Sequence, residues 1–113
     1  MAVVTDVGGL EVMISDGPDA VVIWLNGDID STTSSTLALA LSPLLADEGS
    51  SIVLDLAGVG VLDPGRAWVI GEAATLFRER GGDFTVRDPN ETVRSVLHAA
   101  GMGWLKIVAS PSP

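Results

Sequence analysis

The sequence predicts an α/β fold, a mixed and mostly parallel sheet opened by a β-hairpin and continued by alternating helices and strands. Three observations carry that prediction. Short apolar, β-branched runs recur along the chain as strands do. Between the later runs lie stripes of apolar residues at helical spacing. The first two runs have only turn residues between them, so they pair as a hairpin. The later ones are each separated by a helix, which demands parallel crossovers.

Leu10-Glu11-Val12-Met13-Ile14 is the first strand, closed by the turn-rich Ser15-Asp16-Gly17-Pro18-Asp19. Ala20-Val21-Val22-Ile23-Trp24-Leu25 follows as a continuous apolar run, the pattern of a strand covered on both faces. Leu37, Leu41, Leu44 and Leu45 then form one stripe of a helix. Asp30, Ser31 and Thr32 are its cap candidates, and Asp47-Glu48-Gly49 is its stop. The third strand is Ser51–Leu56. A second helix runs from about Pro64 to Arg80 with Ile70, Ala73, Ala74 and Phe77 inward. Asp63 before Pro64 starts it: a carboxylate cap, then a proline whose missing N–H is no loss there. Gly81-Gly82 ends it, and Asp83–Arg87 is strand four. Asp88-Pro89-Asn90 caps a third helix with Val93, Val96, Leu97 and Ala100 inward, stopped by Gly101. Trp104–Val108 is the last strand. The order is β-β-α-β-α-β-α-β, one domain over 1–108 with 109–113 read as a disordered tail.

The chain has 113 residues, 47% of them hydrophobic, enough for one domain with a sizeable core. It has no cysteine, which removes disulfides, thiolate metal sites and a cysteine nucleophile. Met1–Asp6 lacks the basic start of a secretory signal, and the longest apolar run, Ala20–Leu25, is far too short to span a bilayer. A cytoplasmic protein is expected. Fifteen acidic residues against six basic ones give a charge of −9. Such a surface repels phosphate backbones and anionic lipid, so neither nucleic acid nor membrane is the expected partner; the charge would favour a basic protein surface, or serve only to keep the protein soluble.

Three stretches resemble the STAS domain family. Leu25-Asn26-Gly27-Asp28-Ile29-Asp30 is similar to its strand and glycine-acid-x-aspartate turn. Ile52 to Asp63 is similar to its strand, loop and terminal aspartate, and Gly81–Val86 with Val93, Leu97 and Gly101 matches further along. The resemblance covers about residues 10 to 108 and implies a non-enzymatic binding module akin to bacterial anti-sigma factor antagonists. It implies an anti-sigma factor or related kinase-fold regulator as partner, and no cofactor. In regulated members of the family the terminal aspartate is followed by two serines and a glycine, and a partner kinase phosphorylates the second serine. Here Asp63 is followed by Pro64, Gly65 and Arg66, so Gly65 stands at the phosphoserine position. Glycine accepts no phosphate, and the switch that added charge would operate is missing at this position. The family commonly adds a helix after the last strand, where this sequence has a short Pro-rich tail.

Asp28, Asp30, Asp63, Pro64, Gly65, Arg66 and Trp68 are therefore the candidate partner-binding residues. For Asp30, turn and cap chemistry is the simpler reading. Trp68 falls on the polar side of its helix with Glu72, Thr75 and Glu79, where a tryptophan is a candidate anchor. The hydroxyl run Ser31–Ser35 offers Ser31 and Thr32 as substitute phosphate acceptors, although such runs usually serve helix caps. His98 reads as a surface residue and Lys106 as an edge-strand residue. No metal site is assigned.

The alternatives are a STAS scaffold subunit of a larger sensory complex, with self-association left open, and a receiver-like phosphoacceptor built on Asp55 and Lys106. Against the receiver stands the opening hairpin, since receivers alternate strand and helix from the start. No Gly-x-Ser-x-Gly elbow or phosphate loop ending in Lys-Ser/Thr supports a hydrolase.

Overall fold

The computed structural model describes residues 2–7, 9–46 and 51–110. Nine regular elements follow one another: β1 (Ala2–Val7), β2 (Leu10–Asp16), β3 (Val21–Ile29), α1 (Ser34–Leu41), β4 (Ile52–Leu62), α2 (Trp68–Glu79), β5 (Phe84–Arg87), α3 (Glu91–Ala99) and β6 (Lys106–Val108). They form one six-stranded sheet whose strands lie in sequence order. β1, β2 and β3 are antiparallel, and β3 to β6 are parallel.

The predicted hairpin is β2–β3, turned at Gly17, whose N–H donates to the Ala20 carbonyl at 3.1 Å. The structure adds β1 ahead of it, paired from Ala2↔Ser15 to Val7↔Leu10. Strands β3 and β4 also run further than their apolar cores suggest. They stay paired through Ile29↔Leu62, with register shifts at Trp24/Asn26 and Gly27/Ile29. Asp28 therefore lies within a strand rather than in the turn after it.

The first helical stripe divides in two. The α-helix closes at Leu41 and a 3₁₀ turn, Ser42–Ala46, carries the chain on. Pro43 has no N–H to continue the α-helical ladder, which accounts for the change. Leu37 and Leu41 are buried and Leu44 packs on the core. The expected stop at residues 47–49 lies outside the described residues, as do residues 111–113 of the expected tail. The second helix likewise begins with a 3₁₀ turn, Pro64–Arg66, before α2 proper. It ends as expected at Gly81, whose φ of 80° closes the helix in the left-handed region open to glycine.

All three crossovers step one strand along in the same direction. Right-handed crossovers then put α1, α2 and α3 on one face of the sheet. Burial agrees. Ile23, Leu25, Ile52, Leu54, Phe84 and Val86 alternate along their strands and are buried together with Leu37, Ile70, Phe77, Val93 and Leu97 in one core. Phe77 of α2 meets Phe84 of β5 with ring centres 5.9 Å apart, a contact that fixes helix against sheet. Burying such a side chain stabilises by about 1.5–3 kcal/mol. The expectation that the Ala20–Leu25 strand is covered on both faces is corrected here. Ile23 and Leu25 are buried, but Val22 and Trp24 on the other face are only half covered.

Candidate protein-docking corner

The parallel strands deliver their carboxyl ends to one edge of the sheet, where an open α/β fold ordinarily gathers its binding residues. Here that edge holds the ends of β3 and β4 and the starts of α1, α2 and α3. Asp63 is the hinge of the arrangement. Its N–H donates to the Ile29 carbonyl at 2.8 Å, tying the end of β4 to the end of β3. Its Oδ1 accepts from the Gly65 N–H at 2.9 Å and caps the 3₁₀ turn, in which Pro64 takes the first position.

Asp28 and Asp30 are brought to the same corner by different bonds. Asp28 Oδ1 accepts from the Val61 N–H at 3.1 Å, a link across thirty-three residues that fastens β3 to β4. Asp30 Oδ1 accepts from the N–H groups of Thr32 (2.8 Å) and Thr33 (3.1 Å), closing the turn into α1. Thr33 completes that turn: its hydroxyl donates to the Asp28 carbonyl at 2.7 Å and accepts from the Asp30 N–H at 3.0 Å. The hydroxyl run is thus cap chemistry at Thr33, which is buried, while Ser31 and Thr32 remain exposed. Each of the three carboxylates is turned onto main-chain N–H groups. Among the described residues no group of three or more acidic or histidine side chains is placed to hold a metal ion.

Pro64 and Gly65 are exposed and Arg66 is half-exposed, making no ion pair among the described residues. Gly65 is not in the left-handed region, and a Cβ built there would meet only Asp63 Oδ1 at 3.4 Å. The backbone does not demand glycine; a serine would fit. One turn further on, Trp68 is 52% exposed. It borders an apolar groove of about 260 Å³ between α1 and α2, lined also by Ala38, Leu41, Val69, Glu72 and Leu76. On the other side Pro64 borders a depression of about 510 Å³ over α3, formed with Thr92, Val96, Ala99 and Ala100. The corner is a capped, polar ridge between two apolar hollows.

Sequence reasoning missed the part played by Asn90 here. Its Oδ1 caps α3 by accepting from the Val93 N–H at 2.8 Å. Its Nδ2 donates to the carbonyls of Val59 (3.1 Å) and Gly60 (3.2 Å), stitching α3 to β4 just behind the corner. The cap itself was legible in Asp88-Pro89-Asn90; the second use of the amide depends on a strand thirty residues away. His98 and Lys106 are exposed, as the sequence suggests. Asp55 is buried, with Oδ1 accepting from the Ala57 N–H at 2.9 Å and Oδ2 paired to Arg87 Nε at 2.8 Å. That carboxylate is committed to the sheet, which removes the residue a receiver-like reading would need.

A six-stranded sheet opened by antiparallel strands, covered by helices on one face and ending in a capped acidic ridge, defines a small α/β domain. A family model described as "Mlab, STAS domain" matches residues 12–108, and the chain belongs to the STAS domain family. No curated protein matches the sequence. Among solved structures, an anti-sigma factor antagonist from Mycobacterium paratuberculosis is similar, with a TM-score of 0.76, 21% identity, and coverage of 91% of this chain and 86% of that one. The unphosphorylated form of SpoIIAA, an anti-sigma factor antagonist and Bacillus cell fate determinant, gives 0.75 at 16% identity, with 89% of both chains covered. An antisigma-factor antagonist STAS domain from Rhodobacter sphaeroides gives 0.62 at 16% identity, covering 75% of this chain and 92% of that one. At these identities the likeness is one of fold. Among the described residues no helix is long and apolar enough to cross a membrane.

Proposed function

We propose that this domain is a protein-binding regulatory module that works as an anti-sigma factor antagonist and makes and breaks no bond. It engages an anti-sigma factor or related kinase-fold regulator through the ridge of Asp28, Asp30 and Asp63 to Arg66, with Trp68 as the apolar anchor. The observation that carries this is the half-exposed Trp68 beside an apolar groove, one turn from a helix start whose capping is already complete. A tryptophan on a groove rim contributes binding energy out of proportion to its number. The carboxylates and the chain's −9 charge favour a partner with a basic face.

Gly65 gives the module its particular character. A phosphate at that position would bring about −1.5 to −2 charge and its bulk to a ridge already lined by aspartates, enough to disrupt a closely fitted interface through desolvation and repulsion from those aspartates. With glycine there, binding is insensitive to a partner's kinase activity at this site.

Affinity capture from host lysate tests this, using the wild-type chain beside an Asp63→Ala, Trp68→Ala double variant and mass spectrometry as readout. The expected result is an anti-sigma regulator recovered by the wild type alone, equally with and without ATP. Loss of a tryptophan hot spot of about 2 kcal/mol weakens binding about thirtyfold. Recovery of the same proteins by both baits sinks the corner as the docking site. Recovery of larger STAS proteins instead would favour a scaffold role.

A further inference from the structure

β6 is the last strand of the sheet, paired with β5 on one side and, among the described residues, with no strand on the other. Register shows which of its backbone groups are free. Val108 lies opposite Arg87, and its carbonyl accepts from the Asp88 N–H at 3.0 Å. In a parallel ladder alternate residues of a strand face the same neighbour. Lys106 and Val108 therefore turn their main-chain groups to β5, and Ile107 turns its own outward. An extended segment laid along this edge would find one donor and one acceptor at Ile107.

The chain's scarce cations gather beside that edge. Where the Ile107 side chain packs on the core, a groove of about 530 Å³ lies between α3 and the segment leading into β6. Its floor is Leu97, Met102, Leu105 and Ile107. Its rim holds Arg94 and His98, one turn apart on α3, with Glu91 a turn earlier. A smaller cavity of about 190 Å³ is lined by Arg78, Trp104 and Lys106, with Asp83 and Phe84 completing it. The Arg78 guanidinium lies over the Trp104 ring, 5.4 Å from its centre, a contact that holds the cation in place. Three of the six basic residues and the only histidine thus line these two cavities, against two of the fifteen acidic ones. Arg78, Arg94 and Lys106 make no ion pair among the described residues. On a chain of charge −9, this edge is where an acidic ligand finds cations that no carboxylate has taken.

We propose that the free edge of β6 takes up an extended acidic segment of a partner protein, held by main-chain bonds at Ile107 and selected by Arg94, His98 and Lys106. Pleating lets one strand use both sides of the edge. A residue paired with Ile107 sends its side chain to the same face as Ile107, over the groove. Its neighbours point to the opposite face, with Lys106. A glutamate at the central position lays its methylenes on the apolar floor and its carboxylate toward Arg94 and His98. Acidic neighbours meet Lys106, and Arg78 stands in the same cavity. Main-chain pairing supplies affinity and the flanking cavities supply selectivity, as in other strand additions. The proposal does not rest on the regulator reading; the groove and the hollow beside Pro64 share only Ser95.

Fluorescence anisotropy with the labelled peptide Val-Glu-Glu-Glu-Val tests it, with protein up to about 1 mM. Val-Lys-Lys-Lys-Val is the control, amide hydrogen exchange by NMR locates the peptide, and circular dichroism confirms that each variant folds. The glutamate peptide is expected to bind in preference to the lysine peptide and to protect the Ile107 amide from exchange. Arg94→Glu and Lys106→Glu, both at exposed positions, should each weaken that binding about fivefold at low salt. The double variant Arg94→Glu, Lys106→Glu should turn the preference to the lysine peptide. Absence of binding, binding that leaves Ile107 unprotected, or protection confined to the Trp68 corner overturns the proposal. So does a double variant that keeps the wild-type preference.

Discussion

The chain uses the dipeptide Asp-Pro twice, at the carboxyl ends of neighbouring strands and just before a helix, and the two copies do different work. After β4, Asp63 is itself the cap, in extended conformation, and Pro64 opens the turn behind it. After β5, the register is shifted by two. Asp88 adopts φ 53°, a left-handed geometry that aspartate tolerates better than most residues, Pro89 precedes the cap, and Asn90 is the cap. The second start is then stitched to β4 by the Asn90 amide, whereas among the described residues the first has no side-chain tether beyond its own turn. A helix start whose side chain is fastened to a neighbouring strand is a structural joint. One whose side-chain cap closes only on its own turn leaves its exposed side free for a partner.

That contrast can be broken by mutation, the largest effect coming from the stitched start. Asn90→Ala removes a cap and two further hydrogen bonds and is expected to cost about 1–2 kcal/mol in urea unfolding. Asp63→Ala removes one cap on a 3₁₀ turn and should cost less, about 0.5–1 kcal/mol, while weakening capture of the regulator proposed above. Equal losses of stability would erase the distinction between joint and dock. Gly65→Ser is the gentler probe. With ordinary contact at 3.4 Å and no left-handed φ, it should change stability by no more than about 0.5 kcal/mol in thermal unfolding. It also supplies a hydroxyl for a cognate kinase to modify.

The smallest effect lies at the second Asp-Pro. Ser110 donates to Asp88 through its hydroxyl and through its N–H at 2.8 Å, and these bonds, ahead of the nearby Arg87 charge, hold the Asp88 carboxyl below its ordinary value. A carboxyl depressed in the folded state contributes stability that is fully present above its unfolded pKa. That contribution fades as pH falls through the folded value, so the tether is intact at neutral pH and loosens only in acid. A carbon-detected NMR titration should place the Asp88 midpoint below that of ordinary aspartates, and Ser110→Ala should move it back up. An unchanged midpoint in that variant would leave the tether without effect.

Much of this was legible in the sequence, and the failures share a cause. Helical stripes such as Ile70, Ala73, Ala74 and Phe77 are local periodicities, and all four residues are buried. The Asp63 cap and the exposure of Trp68 follow from the same spacing. Glycines misled the reading of β4, because Ala57-Gly58-Val59-Gly60 resembles a loop. Gly58 instead lies in a strand at the register shift, where a Cβ would sit 2.6 Å from the Leu25 carbonyl oxygen. Gly27 marks the same kind of close approach, toward the Gly9 carbonyl. A glycine required by a neighbouring backbone and one required by a turn look alike until the neighbour is known. β1 escaped notice for a related reason: its pairing with β2 is what makes Ala2–Val7 a strand. Which three acids share a corner was readable only through the family resemblance, since the Asp28–Val61 and Ile29–Asp63 bonds join distant segments.

Because the six strands lie side by side in the order in which they are synthesised, the sheet has a direction of growth. Each strand that emerges finds its partner already in place, and none has to be inserted between two others. A nascent chain can therefore lay down β1, β2 and β3 before α1 exists and extend the sheet one crossover at a time, domain folding keeping pace with a ribosome that adds residues slowly by comparison. The growing edge is always the newest strand. Only with β6 does the core close, when Leu105 and Met102 take their buried places in it.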